Sequence, residues 1–367
     1  MISQTFCLYQ LKLFTKNCLV EGKMFHIKTS FISCITTLII IFFSFFSLFF
    51  PLFAFADEKP TLTVYSYQSF LSDWGPGKQV QQQFEQVCDC RLNIIGIGDA
   101  VTILNRLKLE GKHSKADVVI GLDNSLTYQA KQADLIVPHQ LPKPANFVAN
   151  VEWDHDFLPY DYGTFAFIYD KRKIIYPPHS MNALINNEQG WKIVYQDPRT
   201  SSPGLGLLFW MNAIYGDSTD DAWQALAKRT VTVTKGWSEA YSLFLKGEAD
   251  FVLSYVTSPA VHIMNDNDFN YQAAIFDEGH YQQIEVAAIT KTSKQFDLAQ
   301  QFLAFLVTPA AQKQFVEKNI MNPVINIELP ESYAYLPQAP KILNFTAEES
   351  AKQQKNWIKQ WLKVISR

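Results

Sequence analysis

Charge of either sign is scarce and nearly balanced: 32 Lys and Arg stand against 35 Asp and Glu, charged residues are 18%, and the net charge is -3. With a pI near 6.2 there is no basic excess to attract a polyanion, so nucleic acid drops out as a partner. Cysteine is rare too, with five in 367 residues. Cys7, Cys18 and Cys34 lie in the N-terminal segment, and only Cys88 and Cys90 follow it. Two sulfurs with no neighbouring ligands do not make a metal site. In an oxidising compartment they can form a small disulfide, or they remain free thiols. The chain also lacks a Ser/His/Asp motif, a nucleophile elbow, a metal-ligand cluster and a Gly-rich phosphate loop. His262 and His280 stand alone in sequence. No enzyme is expected, and no cofactor or metal. Beyond the N-terminal segment there is no internal repeat or low-complexity tract.

What the N-terminus does have is an apolar run. No Asp, Glu, Lys or Arg occurs between Lys28 and Asp57, and residues 32–53 are dense in Ile, Leu and Phe. Ala54-Phe55-Ala56 supplies small residues at the two positions a signal peptidase reads. The run is long enough to span a membrane uncleaved, but Asp-Glu-Lys-Pro directly after the Ala-x-Ala site favours cleavage after Ala56 and export to the periplasm. Cys34 precedes the apolar core, which argues against a lipoprotein. Met24-Phe-His-Ile-Lys28 resembles a short basic start, leaving residues 1–23 as a candidate upstream extension.

The remainder has room for two domains of ordinary size. TLTVYS (61–66), residues 92–97, DVVIGL (117–122), 164–169, 192–196, 230–234, FVLSY (251–255) and EVAAIT (285–290) read as strands. Helical spacing separates many of them, over 78–87, 101–110, 221–228, 238–246, 296–307 and 309–316. This alternation predicts α/β folding with parallel sheets. A linker rich in Pro, Asn and His (138–157) leads to 158–163, taken as a crossing into a second lobe; 285–290 is taken as the return. Thr346 with Glu349 three residues on predicts a capping box for a C-terminal helix carrying Trp357, Ile358, Trp361 and Leu362 on one side. The domain boundaries expected are 1–56 signal peptide, 57–160 first lobe, 161–283 second lobe, and 284–367 return with the C-terminal helices.

The chain is organised around residues 195–210, YQDPRTSSPGLGLLFW, a strand end, a polar turn and an apolar helix. Ser202 before Pro203 is a helix-start signal, since serine can cap and proline loses no bond at the first position. Tyr255-Val-Thr-Ser-Pro259 repeats the pattern, while Asp99 and Ser238 are further candidate caps. Ligands bind beyond the carboxyl ends of strands in open α/β sheets. Tyr67, Trp74, Trp237 and Tyr255 lie in or beside these turns. Aromatic faces suit a cation and helix starts suit an anion, so the arrangement fits an aromatic cation carrying phosphate.

SDWGPG (72–77), LNRLKLEGKHSKADVVIGLDN (104–124), YQDPRTSSPGLGLLFW (195–210), TVTVTKGWSEAYSLFLKGEADFVLSYVTSPA (230–260) and EGHYQQIEVAAITK (278–291) closely resemble the periplasmic thiamine-binding proteins of bacterial ABC transporters. The resemblance covers essentially the whole chain after the export segment. It implies a bilobal periplasmic-binding-protein fold, two α/β lobes joined by two hinge crossings. It further implies capture of thiamine, thiamine monophosphate and thiamine pyrophosphate, and delivery to an inner-membrane permease driven by a cytoplasmic ATPase. By motif, Asp99 and Ala100 match the family's Asp-Gly contact, and Ser201 and Ser202 its Ser-Thr contact. Trp237 matches its Lys-Gly-Trp tryptophan, Tyr255, Val256, Thr257 and Ser258 its Tyr-Thr-Thr-Ser run, and Tyr67 and Trp74 further cleft aromatics. Ala100 replaces glycine and Gln68 replaces aspartate, while Val261 and Ile320 replace a tyrosine and a tryptophan of the pocket wall.

Two rivals share the fold class. A ferric-ion-binding protein would usually place two neighbouring tyrosines on iron, whereas Tyr255 is followed by valine, and Tyr160 and Tyr162 lie in the proposed crossing. A thiamine-degrading enzyme needs a reactive cysteine in the cleft, for which only Cys88 and Cys90 are available.

Overall fold

The computed structural model describes residues 59–365. The expected export segment and cleavage site lie outside the described residues. The chain alternates β1 (Thr61–Ser66), α1 (Gly77–Cys88), β2 (Arg91–Gly96), α2 (Ala100–Glu110), β3 (Val118–Asp123), α3 (Thr127–Gln132) and β4 (Ile136–Val137) before the long β5 (Leu158–Asp170). It continues through α4 (Met181–Ile185), β6 (Ile193–Gln196), α5 (Ser202–Tyr215), α6 (Thr219–Arg229), β7 (Thr230–Thr234), α7 (Trp237–Leu245), β8 (Phe251–Tyr255), α8 (Pro259–Asp266), β9 (Tyr271–Ala274) and β10 (His280–Thr290). Last come α9 (Phe296–Leu306), α10 (Pro309–Gln314), β11 (Asn322–Pro323), β12 (Ile342–Leu343) and α11 (Ala347–Ile365).

The strands are ordered β2-β1-β3-β10-β5-β8-β6-β7. β1, β2 and β3 are mutually parallel, as are β6, β7 and β8. The expectation of parallel sheets holds within these two groups and fails at the two central strands, because β10 runs antiparallel to β3, and β5 runs antiparallel to both β10 and β8. These two strands are the long ones, and each serves both halves of the fold. The first half of β5 pairs with β10 and its second half with β8 and β9. Residues 158–163, read from sequence as a crossing ahead of a strand, are therefore the first half of that strand. Burial on both faces explains why β5 is apolar almost throughout.

α5 is buried around its entire circumference from Ser202 to Asn212, as its apolar sequence requires. A side chain at Gly206 would bring its Cβ to 2.0 Å from Phe165, so glycine is what lets this helix lie directly on β5. The C-terminal capping box forms, with Thr346 N donating to Glu349 Oε2 at 2.9 Å and Glu349 N to Thr346 Oγ1 at 3.2 Å. α11 buries Trp361, whose indole donates to the Tyr195 hydroxyl at 3.1 Å. Its Gln354 accepts from Gln129 of α3 at 2.6 Å, so this helix touches elements beside both groups of parallel strands.

Candidate binding cleft

Four helices begin around one cavity of about 610 Å³. α2 starts after Asp99, α5 after Ser201, α7 after Gly236 and α8 after Ser258. Two sequence-derived caps move as a result. Ser202 is the first helical residue instead of the cap, and Ser238 sits inside α7. The cap position of α5 belongs to Ser201, whose hydroxyl makes no capping bond to that helix. It donates instead to Asp99 Oδ2 at 2.5 Å, across the cleft. Thr102 Oγ1 bridges the same gap to the Thr200 carbonyl at 3.1 Å, and the Trp74 and Trp237 rings meet at 5.7 Å. The cleft is shut.

Of the residues singled out from sequence, Tyr67, Trp74, Asp99, Ala100, Ser202, Trp237, Tyr255 and Ser258 line the cavity. Ser201, Val256 and Thr257 are buried behind its wall. Val261 and Ile320 also line it. Gln68 does not, being exposed outside.

The aromatic walls are held by packing and by polar handles. The Trp237 ring stacks on Tyr241 at 4.8 Å, and its Nε1 donates to Ser254 Oγ at 2.8 Å. Ser254 in turn shares a hydrogen bond with Ser258 Oγ at 2.7 Å, so Ser258 is part of the scaffold behind Trp237. Tyr255 stacks on Phe165 at 5.0 Å, and its hydroxyl donates to Gln283 Oε1 at 3.3 Å. Tyr67 lies flat on β3 because Gly121, at φ +92, has no Cβ; one would meet the tyrosine ring at 2.1 Å. Ile320 follows the π-helical turn Phe315–Asn319 with φ 57, a left-handed conformation that a β-branched residue adopts only under constraint.

The floor is acidic, which the sequence reading missed. Glu285 and Gln283 of β10 line the cavity, and so does Asn319. Tyr160 donates to Glu285 Oε2, Gln283 Nε2 donates to Glu285 Oε1 at 3.0 Å, and Asn319 Nδ2 donates to Asp161 Oδ2 at 2.8 Å. Burial pushes Glu285 up to about 7, against the stabilising Tyr160 and Tyr67 hydroxyls. Asp161 is raised well above the carboxylate range by burial and then by the charge of Glu285. Asp99 is raised to about 6 by burial, offset by the Ser201 hydroxyl and the Trp237 backbone N–H. Asp123 is raised by burial, opposed by Ser125 and Ser202. The far end of the cavity is reached by Tyr241 and His262, which bond to each other at 2.9 Å. In sequence, the one hint of the floor is a glutamate opening an otherwise apolar strand. His280, by contrast, is structural: buried, it bridges the Phe165 carbonyl and the Phe276 N–H.

Cys88 and Cys90 are joined in a disulfide at the end of α1, and neither lines the cavity, so no nucleophilic sulfur is on offer there. Among the described residues no group of three or more His, Cys, Asp or Glu is placed to hold a metal ion.

Against this geometry the similarities to known proteins are decisive. Residues 79–341 match the family described as bacterial extracellular solute-binding protein. The thiamine-binding periplasmic protein of Escherichia coli (strain K12) is 52% identical over 318 residues, 86% of this chain and 96% of that one. The chain belongs to the thiamine-binding periplasmic proteins. The Brucella suis biovar 1 member is 45% identical over 319 residues, covering 85% of this chain and 94% of its own. Among solved structures, a periplasmic thiamin binding protein superposes with a TM-score of 0.82 at 52% identity, covering 84% of this chain and 97% of that chain. The ferric binding protein from Campylobacter jejuni, at 21% identity and a TM-score of 0.69 over 83% of this chain and 99% of its own, shares the fold alone. Thiamine-binding periplasmic proteins are transport components, and this chain is accordingly a substrate-binding protein and not an enzyme.

Proposed function

We propose that the protein captures thiamine, thiamine monophosphate and thiamine pyrophosphate in the periplasm and delivers them to the inner-membrane permease of an ABC transporter. The observation that carries this reading is the convergence of aromatic walls, an acidic floor and four helix starts on one cavity. Thiamine is an aromatic cation. Trp74, Trp237 and Tyr255 supply the faces that attract such a ring, and the starts of α2 and α5 supply amide donors for a phosphate tail. Asp99, Ala100, Ser201, Ser202, Trp237, Tyr255, Val256, Thr257, Ser258, Tyr67 and Trp74 form the site in this reading, those behind the wall acting through the backbone or through their neighbours. The printed names of the relatives support the ligand class. The ligand is cargo and not a cofactor.

Residues 57–160 and 284–367 make one lobe in this reading and 161–283 the other, with β5 and β10 as the two crossings. Calorimetry of ligand-stripped protein with all three compounds tests the function; failure of all three to bind would refute it. Mass spectrometry of periplasmic protein should find a chain beginning at Asp57.

A further inference from the structure

Resting on the thiamine reading, the geometry of the cavity floor points to the residue that selects the ligand's positive charge. Asp161 and Glu285 are direct cross-strand partners on β5 and β10. Opposed carboxylates repel, and buried ones pay a further desolvation cost. Here both are buried, Asp161 completely. Every side chain hydrogen-bonded to them is neutral, namely Tyr160, Gln283 and Asn319. Neither takes part in any ion pair among the described residues. The remaining groups that face Glu285 make matters worse: Asp123 at the end of β3 adds negative charge, and Tyr255 of β8 and Tyr67 of the loop after β1 stay neutral. Two carboxyls so placed hold one proton between them.

A second observation points to a ligand. The Tyr67 hydroxyl lines the same floor with the residue 7% exposed, lies near Glu285, and yet makes no well-formed hydrogen bond. This incompletely bonded hydroxyl and the Glu285 carboxyl thus face one cavity, which Lys246 and Lys318 also line without forming an ion pair to either acid.

We propose that Glu285, backed by Asp161, selects the positive charge of the ligand, and that the pair releases its shared proton to solvent when the cationic ring binds. The balance is an exchange: one proton leaves the carboxyl pair as one positive charge enters the cavity. Asp161 is a positioning residue in this scheme, setting the protonation of Glu285, which faces the ligand. Burial holds Glu285 protonated below about pH 7. A bound cation favours the ionised form, so release is greatest just below neutrality and fades above it. Thiamine affinity falls by at most about tenfold per pH unit on the acid side.

The test is calorimetry at pH 6.5 in two buffers of different ionisation enthalpy, using thiamine and its neutral thiophene analogue, in which carbon replaces the charged ring nitrogen. Wild-type protein should release a large fraction of one proton with thiamine and none with the analogue, and should bind the analogue at least about tenfold more weakly. Glu285→Gln should abolish release and bring the two ligands to within about threefold of each other. Asp161→Asn removes the neighbour that holds Glu285 protonated, so release should persist but move to lower pH. Thiamine binding without proton release overturns the proposal and leaves the thiamine reading intact. Release that survives in Glu285→Gln assigns the proton to another group and also overturns it. Failure of wild-type protein to bind thiamine overturns both. If Glu285→Gln does not fold by its melting curve, the wild-type pH series and Asp161→Asn decide.

Discussion

Asp99 is the residue whose replacement separates the ligands most sharply. Its carboxylate accepts from the Ser201 hydroxyl at 2.5 Å and from the Trp237 backbone, at the starts of α5 and α7. It therefore occupies the position a phosphate would want. Asp99→Asn keeps the shape and removes the charge. At an effective dielectric near 20, two unit charges about 5 Å apart interact by roughly 3 kcal/mol. A separate figure comes from the carboxyl itself, raised from 3.8 to about 6. That shift of about two units corresponds to about 3 kcal/mol, reduced to about 1–2 for a half-buried group partly screened by solvent. At pH 7.5 the variant should bind thiamine monophosphate about 5- to 30-fold more tightly than wild type. Unphosphorylated thiamine, a cation, should bind more weakly. The free variant should also melt a few degrees higher, because a raised carboxyl pKa costs stability above the folded value and the cost vanishes as pH falls below the unfolded one. The advantage for the phosphate ester should shrink as pH drops through 6, where wild-type Asp99 itself becomes neutral. Calorimetry with both ligands at pH 7.5 and pH 5 measures all of this. Equal weakening of both ligands would refute the reasoning, since Asp99 would then be a direct partner of a group they share.

Three further outcomes are expected. Trp237→Ala removes the ring stacked on Tyr241 and facing Trp74, and should weaken thiamine and both phosphates alike by about 2–3 kcal/mol in calorimetry. Restoring aromatic walls with Val261→Tyr and Ile320→Trp should tighten thiamine by about 1 kcal/mol each if the cavity accepts the rings; unchanged affinity in a folded double variant would show that neither wall touches ligand. Cys90→Ser opens a very short disulfide loop, so denaturant unfolding should register a loss of about 1–2 kcal/mol, with thiamine affinity unchanged because the bond lies away from the cavity.

How much of this was legible in advance depended on whether the cause was local. TLTVYS, TVTVT and FVLSY became strands over the ranges their alternation marks, and Thr346 capped its helix with Glu349 as the spacing requires. These follow from interactions within a few residues, so a one-dimensional pattern carries them. The family motifs named most of the cavity's aromatic and helix-start residues for the same reason, since each sits within a contiguous run. The cap position of α5 falls on Ser201, one residue before the serine marked in sequence, and its hydroxyl bonds to Asp99, 102 positions away. The floor is a stronger case. Asp161 and Glu285 meet only because β5 and β10 lie side by side and antiparallel, and nothing within either strand specifies that partner. Their raised protonation follows from burial, a property of the assembled fold. The chain determined by itself that it has strand–helix units with anion-ready starts and aromatic turns; where those ends converge, and which acids lie beneath them, was decided by long-range pairing, because side-chain periodicity sets the face of a strand but not its neighbour.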